Sequence, residues 1–146
     1  MLILIAGPYR SGTNDDPKLM QQNLNHLESV ALLLFRKGHI PLIGEWVTLS
    51  LIRLAGSIKP GDQAWEEIQY PVAHRLLEKC DAVLRLPGPS KGADEDVRVA
   101  TERGLKIYYR LEDIPISNSN GKSIITIVSD FYSKTAGNRK DAALKQ

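Results

Sequence analysis

An alternation constrains this chain most: short apolar runs closed by glycine or proline, each followed by a longer stretch in which apolar residues recur at helical spacing. The run Leu2–Ala6, closed by Gly7-Pro8, is too short and too sharply bounded for a helix and reads as a buried strand. Asp16-Pro17 then gives an N-cap with proline at the first helical position. Leu24, Leu27, Val30, Ala31, Leu34 and Phe35 follow at helical spacing until Gly38. Residues 39–43 repeat the strand pattern and residues 45–55 read as a short helix. Asp62 caps a third helix reaching about Lys79, which Pro71 is expected to kink or split. Residues 81–86 and 105–109 read as the third and fourth strands. A helix over 93–103, stopped by Gly104, lies between them, and Ile124, Ile125, Val128, Phe131 and Tyr132 suit a final amphipathic helix. Strands alternating with helices predict a parallel sheet covered on both faces.

At 146 residues the chain has room for one such domain, expected over 1–133, followed by a basic tail over 134–146 that is expected to fray. The tail holds four basic residues and one acid, so the net charge of +2 leaves the body at −1. A polymeric nucleic acid is therefore not the expected partner, because such binders carry their positive charge on a folded face. The single cysteine, Cys80, can form neither an internal disulfide nor a cysteine-based zinc site, and no metal or cofactor is expected. No apolar run approaches the ~20 residues that span a bilayer. A secretory signal at Met1 is not expected, and the expected location is the cytoplasm.

In sheets of this kind ligands bind beyond the carboxyl ends of the strands, where the strand order reverses. For an order 2-1-3-4 that point lies between strands one and three, which singles out two loops. The first, Gly7-Pro8-Tyr9-Arg10-Ser11-Gly12-Thr13, combines a glycine that permits close approach, an aromatic hydroxyl and a guanidinium fork suited to phosphate or carboxylate. It is neither a dinucleotide fingerprint nor a Walker loop. The second, running from Pro87 through Ser90, Lys91, Gly92, Ala93, Asp94, Glu95 and Asp96, opens a helix whose free N–H groups suit an anion. An acidic first turn complementing the helix dipole explains Asp94 and Glu95 equally well. At about 100° per residue, Asp96 lies roughly 70° from the centre of the stripe Ala93, Val97, Ala100 and Gly104, on the edge of the buried face. Glu95 points away from that stripe and is held in reserve should the helix be rotated by one residue. Glu45 and Trp46 follow strand two and are expected near the cleft, while Asp81, at the far end of strand three, reads as structural.

Leu4-Ile5-Ala6-Gly7-Pro8-Tyr9, Cys80-Asp81-Ala82-Val83-Leu84, Ser90-Lys91-Gly92-Ala93 and Gly104-Leu105-Lys106-Ile107-Tyr108-Tyr109 together resemble the nucleoside 2-deoxyribosyltransferase-like superfamily, nearest its small bacterial members. The resemblance implies a flavodoxin-like (Rossmann-like) fold and cleavage or exchange of N-glycosidic bonds in a nucleoside or nucleoside 5′-monophosphate. It implies a nucleophilic carboxylate at Asp96, a positioning tyrosine at Tyr9, and a hold on the sugar's 5′ end by Ser90 and Gly92. A homodimer or higher homo-oligomer is implied as well. Two departures stand out: Asp96 is one methylene shorter than the family's glutamate, and Ala73 occupies the place of its base-protonating aspartate. His74, Glu45 or Glu67 would have to supply the second acid. Without one, the same fold would serve as a nucleotide-binding module.

Overall fold

The computed structural model describes residues 1–117; the expected last helix and the basic tail lie outside the described residues. Four strands form one parallel sheet in the order β2-β1-β3-β4: β1 (Leu2–Ala6), β2 (Ile40–Ile43), β3 (Ala82–Arg85) and β4 (Lys106–Tyr108). Helix α1 (Pro17–Arg36) connects β1 to β2, α2 (Gly44–Leu54) and α3 (Gln63–Leu77) connect β2 to β3, and α4 (Lys91–Glu102) connects β3 to β4. This is the flavodoxin-like, Rossmann-like α/β arrangement, and it contains the parallel sheet expected from the alternation. Its order reverses between β1 and β3.

Central strand β1 reads as an unbroken apolar run, and β3 as one up to Arg85, because both of their faces are covered. Ile3 and Ile5 of β1, with Leu84 of β3, pack against Leu27, Ala31 and Leu34 of α1. Their neighbours Leu4, Ala6 and Val83 face Leu77 of α3 and Ala93, Val99 and Ala100 of α4. Pro41 sits in β2, an edge strand among the described residues, where a missing N–H is tolerated. Asp81 anchors the sheet as expected, its Oδ2 accepting the Leu2 N–H at 2.7 Å.

Three helices start on side-chain caps. Asp16 accepts from the Lys18 N–H at 2.8 Å, Asp62 from the Trp65 N–H at 3.0 Å, and Ser90 from the Ala93 N–H at 3.2 Å. Asp62 also accepts from Ile58 and Lys59, and these bonds lower its carboxyl to about 2. Helix α3 runs unbroken through Pro71, contrary to a split. Pro71 and Glu67, whose carbonyl loses its helical partner, are both exposed, so water can replace the missing bond. Helix α4 begins at Lys91 rather than Ala93 because the Ser90 cap nucleates it two residues earlier.

Candidate active site

The carboxyl end of β1, the start of α2, one face of α3 and the first turns of α4 surround a cavity of about 620 Å³. From the first loop, Gly7, Tyr9, Arg10 and Ser11 line it. Glu45 enters from α2, and Ser90, Gly92, Ala93 and Asp96 from the second loop and α4. Pro8, Asp94 and Glu95 do not line it. Pro8 instead packs against Gly88, which has φ +109 and no room for a side chain, and so joins the two loops. The Asp94 carboxylate accepts from Arg85 Nη2 at 2.8 Å, and the same guanidinium group donates to the Gly88 carbonyl at 2.9 Å, fastening the second loop to β3.

The cavity gathers acids whose charge it disfavours. Asp96 is raised to about 7, first by burial and then by the charges of Glu45 and Glu95, against a smaller opposing pull from Arg85. Glu45 is raised by burial, against smaller opposing effects of its own backbone and of the Gln69 side chain. The Tyr9 hydroxyl is raised by burial and by Glu45. Both carboxyls thus stand where charge is disfavoured, and Asp96 keeps its proton up to about 7.

Beside the acids lies an aromatic wall. The rings of Tyr9 and Trp65 are parallel to within 5°, their centroids 6.4 Å apart. Arg10 is locked into this wall. Its Nε and Nη2 donate to Asp15 Oδ1 and Oδ2 at 2.5 and 3.0 Å, and its guanidinium lies 6.0 Å from the Trp65 ring centroid. It also presses on Gly61, where any side chain would collide with it. The loop that carries Asp15 turns through two non-glycine residues in the left-handed region, Asn14 at φ 49 and Asp15 at φ 59. Buried Thr13 holds the turn, its Oγ1 donating to the Arg10 carbonyl at 2.6 Å and accepting the Asp15 N–H at 3.2 Å. The guanidinium fork that the sequence offers to an anion is thus occupied by Asp15.

Across the cavity, Ser90 uses its hydroxyl to cap Ala93, while its carbonyl accepts from Asp94. The N–H groups of Lys91 and Gly92 precede the helical ladder and are left for a ligand. A side chain at Gly92 would meet nothing within 4 Å, so this edge of the helix is open. The Lys91 side chain is exposed and has no ion-pair partner among the described residues.

Several expectations resolve by position. Trp46 is not a wall of the cavity; its Nε1 donates to Glu28 of α1 at 2.9 Å. His74 lies outside, 3.7 Å from Glu95, and Glu67 is also outside, whereas Glu45 and Ala73 line the cavity. Trp65, Gln69 and Thr48 join the lining without having been singled out by any motif. Trp65, Gln69 and Ala73 repeat every four residues on one face of α3, a legible stripe, but only the packing of α3 against α2 turns it toward the sheet's reversal point. Among the described residues no three His, Cys, Asp or Glu side chains form a metal-binding group, and no helix is long and apolar enough to cross a membrane. Compared with known proteins, the chain matches no family model, no curated protein and no solved structure.

Proposed function

We propose that this cavity cleaves or exchanges the N-glycosidic bond of a nucleoside or nucleoside 5′-monophosphate. The observation that carries this reading is the half-buried pair Asp96 and Glu45, both raised by their partial burial, beside an aromatic wall and an open helix N-terminus in one cavity. The sugar's 5′ end rests at the Lys91 and Gly92 N–H groups, and the base lies on the side of Glu45 and α3. The ionised Asp96 carboxylate attacks C1′ as the C1′–N bond breaks. The bond's electrons pass to the base nitrogen, which takes the proton of Glu45. Water or a second base then attacks C1′, gives its proton to Glu45 and releases Asp96. Glu45 thereby fills the place that Ala73 leaves empty.

A panel of nucleosides and 5′-monophosphates, followed for free base, tests the reading. Acid quenching and peptide mass mapping should find a glycosyl ester on Asp96. An ester on Glu45 would exchange the two roles, and absence of base release from every compound would leave a nucleotide-binding module, the reading that the apolar Ala73 favours. Because the attacking carboxylate must be ionised, base release should rise as pH passes upward through about 7, where Asp96 loses its proton.

A further inference from the structure

We propose that Arg85 is a positioning residue of this cavity, holding the loop and the helix turn that lead to Asp96 without itself meeting the ligand; this rests on the reading of the cavity as a nucleotide site. Arg85 ends β3 beside Ala6 of β1 and does not line the cavity. Its side chain is only 11% exposed, and its donors are spent on the protein. Nη1 donates to the Leu86 carbonyl, Nη2 to the Gly88 carbonyl at 2.9 Å, and Nη2 and Nε to Asp94 Oδ1 at 2.8 and 3.2 Å. These acceptors lie on either side of residues 89–93, every one of which lines the cavity. The guanidinium thus brackets a wall that it does not enter.

Arginine suits this place because three acceptors in different directions ask for a planar fork, whereas an ammonium group is a point charge. Two of the acceptors are main-chain carbonyls ahead of α4, and the third, Asp94, is in its first turn. Asp94 stands two residues before Asp96, so fixing that turn fixes the direction in which Asp96 leaves the helix. The clamp also carries charge. Its one carboxylate partner, Asp94, is 69% exposed and screened by water, while the guanidinium is not. The buried cation therefore keeps part of its field at the start of α4, and it favours the ionised form of Asp96. Glu45 of α2 and Glu95 of α4 act against that form, and the Tyr9 hydroxyl and Lys91 complete the ionisable groups around it.

Substitution in the full chain separates fork from charge: Arg85→Lys keeps the charge and gives up the fork, whereas Arg85→Met gives up both. Carbon-13 NMR of the Asp96 carboxyl, identified by its absence from Asp96→Asn, reads the charge. Its midpoint should rise by about half a pH unit or more in Arg85→Met and stay in place in Arg85→Lys. Calorimetry with adenosine 5′-monophosphate reads the fork, and both variants should bind about tenfold more weakly than the unaltered chain. Asp94→Asn removes the helix end of the clamp at an exposed position, so it tests the clamp even where Arg85→Met fails to fold; a loss of about threefold is expected. An unmoved midpoint in Arg85→Met, or unchanged affinity in both Arg85→Lys and Asp94→Asn, would overturn the proposal. Neither readout needs turnover. The expected shifts without base release keep the part of Arg85 and remove the catalytic proposal, whereas base release with both readouts unmoved does the reverse.

Discussion

Glu95 and Asp96 are adjacent on α4 and carry the same acidic group, yet their surroundings drive them in opposite directions. Glu95 faces outward, where Arg98 donates to both of its oxygens at 2.7 and 2.8 Å and His74 lies 3.7 Å away, and its carboxyl is lowered, chiefly by the Arg98 hydrogen bonds. Asp96 faces the cavity, where burial and the charge of Glu45 raise it to about 7. A turn of about 100° along the helix separates a solvated ion pair from a strained acid. The outward face is what a stable helix asks for; the inward carboxyl costs stability and brings the fold nothing that an amide would not.

The largest expected effect is on turnover. Asp96→Asn keeps size and hydrogen bonding but removes the charge proposed to attack C1′, so base release should fall by at least ~100-fold. Glu95→Gln gives up an exposed ion pair and should leave the rate within a factor of about five. A steady-state comparison of the two variants on one nucleotide decides it. A loss confined to Glu95→Gln would break the contrast and move the reacting carboxylate to the other face.

Stability against pH sharpens the same contrast through its sign. In the fold Asp96 holds its proton to about 7, whereas the ordinary aspartate value is 3.8, so between those values the folded state binds more protons. Its contribution is thus fully present below about 4 and is lost as pH rises through 7. Asp96→Asn should therefore raise thermal stability at pH 8, by of order 2–4 kcal/mol, and leave it unchanged near pH 3. Glu95 runs the other way: its carboxyl is lowered in the fold, so its contribution is present above the ordinary glutamate range and is lost as pH falls through the folded value. Thermal denaturation of both variants from pH 3 to 8 should give differences of opposite sign. A destabilised Asp96→Asn at pH 8 would show that the cavity does not disfavour the charge.

Much of this contrast is legible in the amino-acid sequence. The alternating runs imply a parallel sheet covered on both faces, an order 2-1-3-4 places its reversal point, the caps Asp16 and Asp62 mark two helix starts, and helical phase alone separates Asp96 from Glu95. The less legible features depend on contacts between elements distant in sequence. Arg10 reads as a free anion ligand until the left-handed turn at Asn14 and Asp15 folds a carboxylate back onto it. Trp46 reads as a wall residue until α2 proves to turn it toward Glu28. Glu45, Thr48 and Gln69 meet only because α2 packs on α3, and no local spacing encodes that meeting.

The smallest effect concerns the cations, which repeat the contrast in the opposite charge. Arg10, like Glu95, is satisfied by a neighbour, whereas Lys91, like Asp96, faces the cavity without a partner among the described residues. If the 5′-phosphate rests at the start of α4, Lys91→Met should reduce the preference for a 5′-monophosphate over its nucleoside by about fivefold, the worth of one exposed charge pair. Arg10→Met should change that preference less, because its fork is already committed to Asp15. Raising the salt concentration should narrow the preference of the unaltered protein and leave nucleoside binding alone, since screening acts on the exposed charges. The reverse ranking, with Arg10→Met abolishing the preference and Lys91→Met sparing it, would mean that phosphate displaces Asp15 from Arg10. The strained Asn14–Asp15 turn would then be the part of the site that moves.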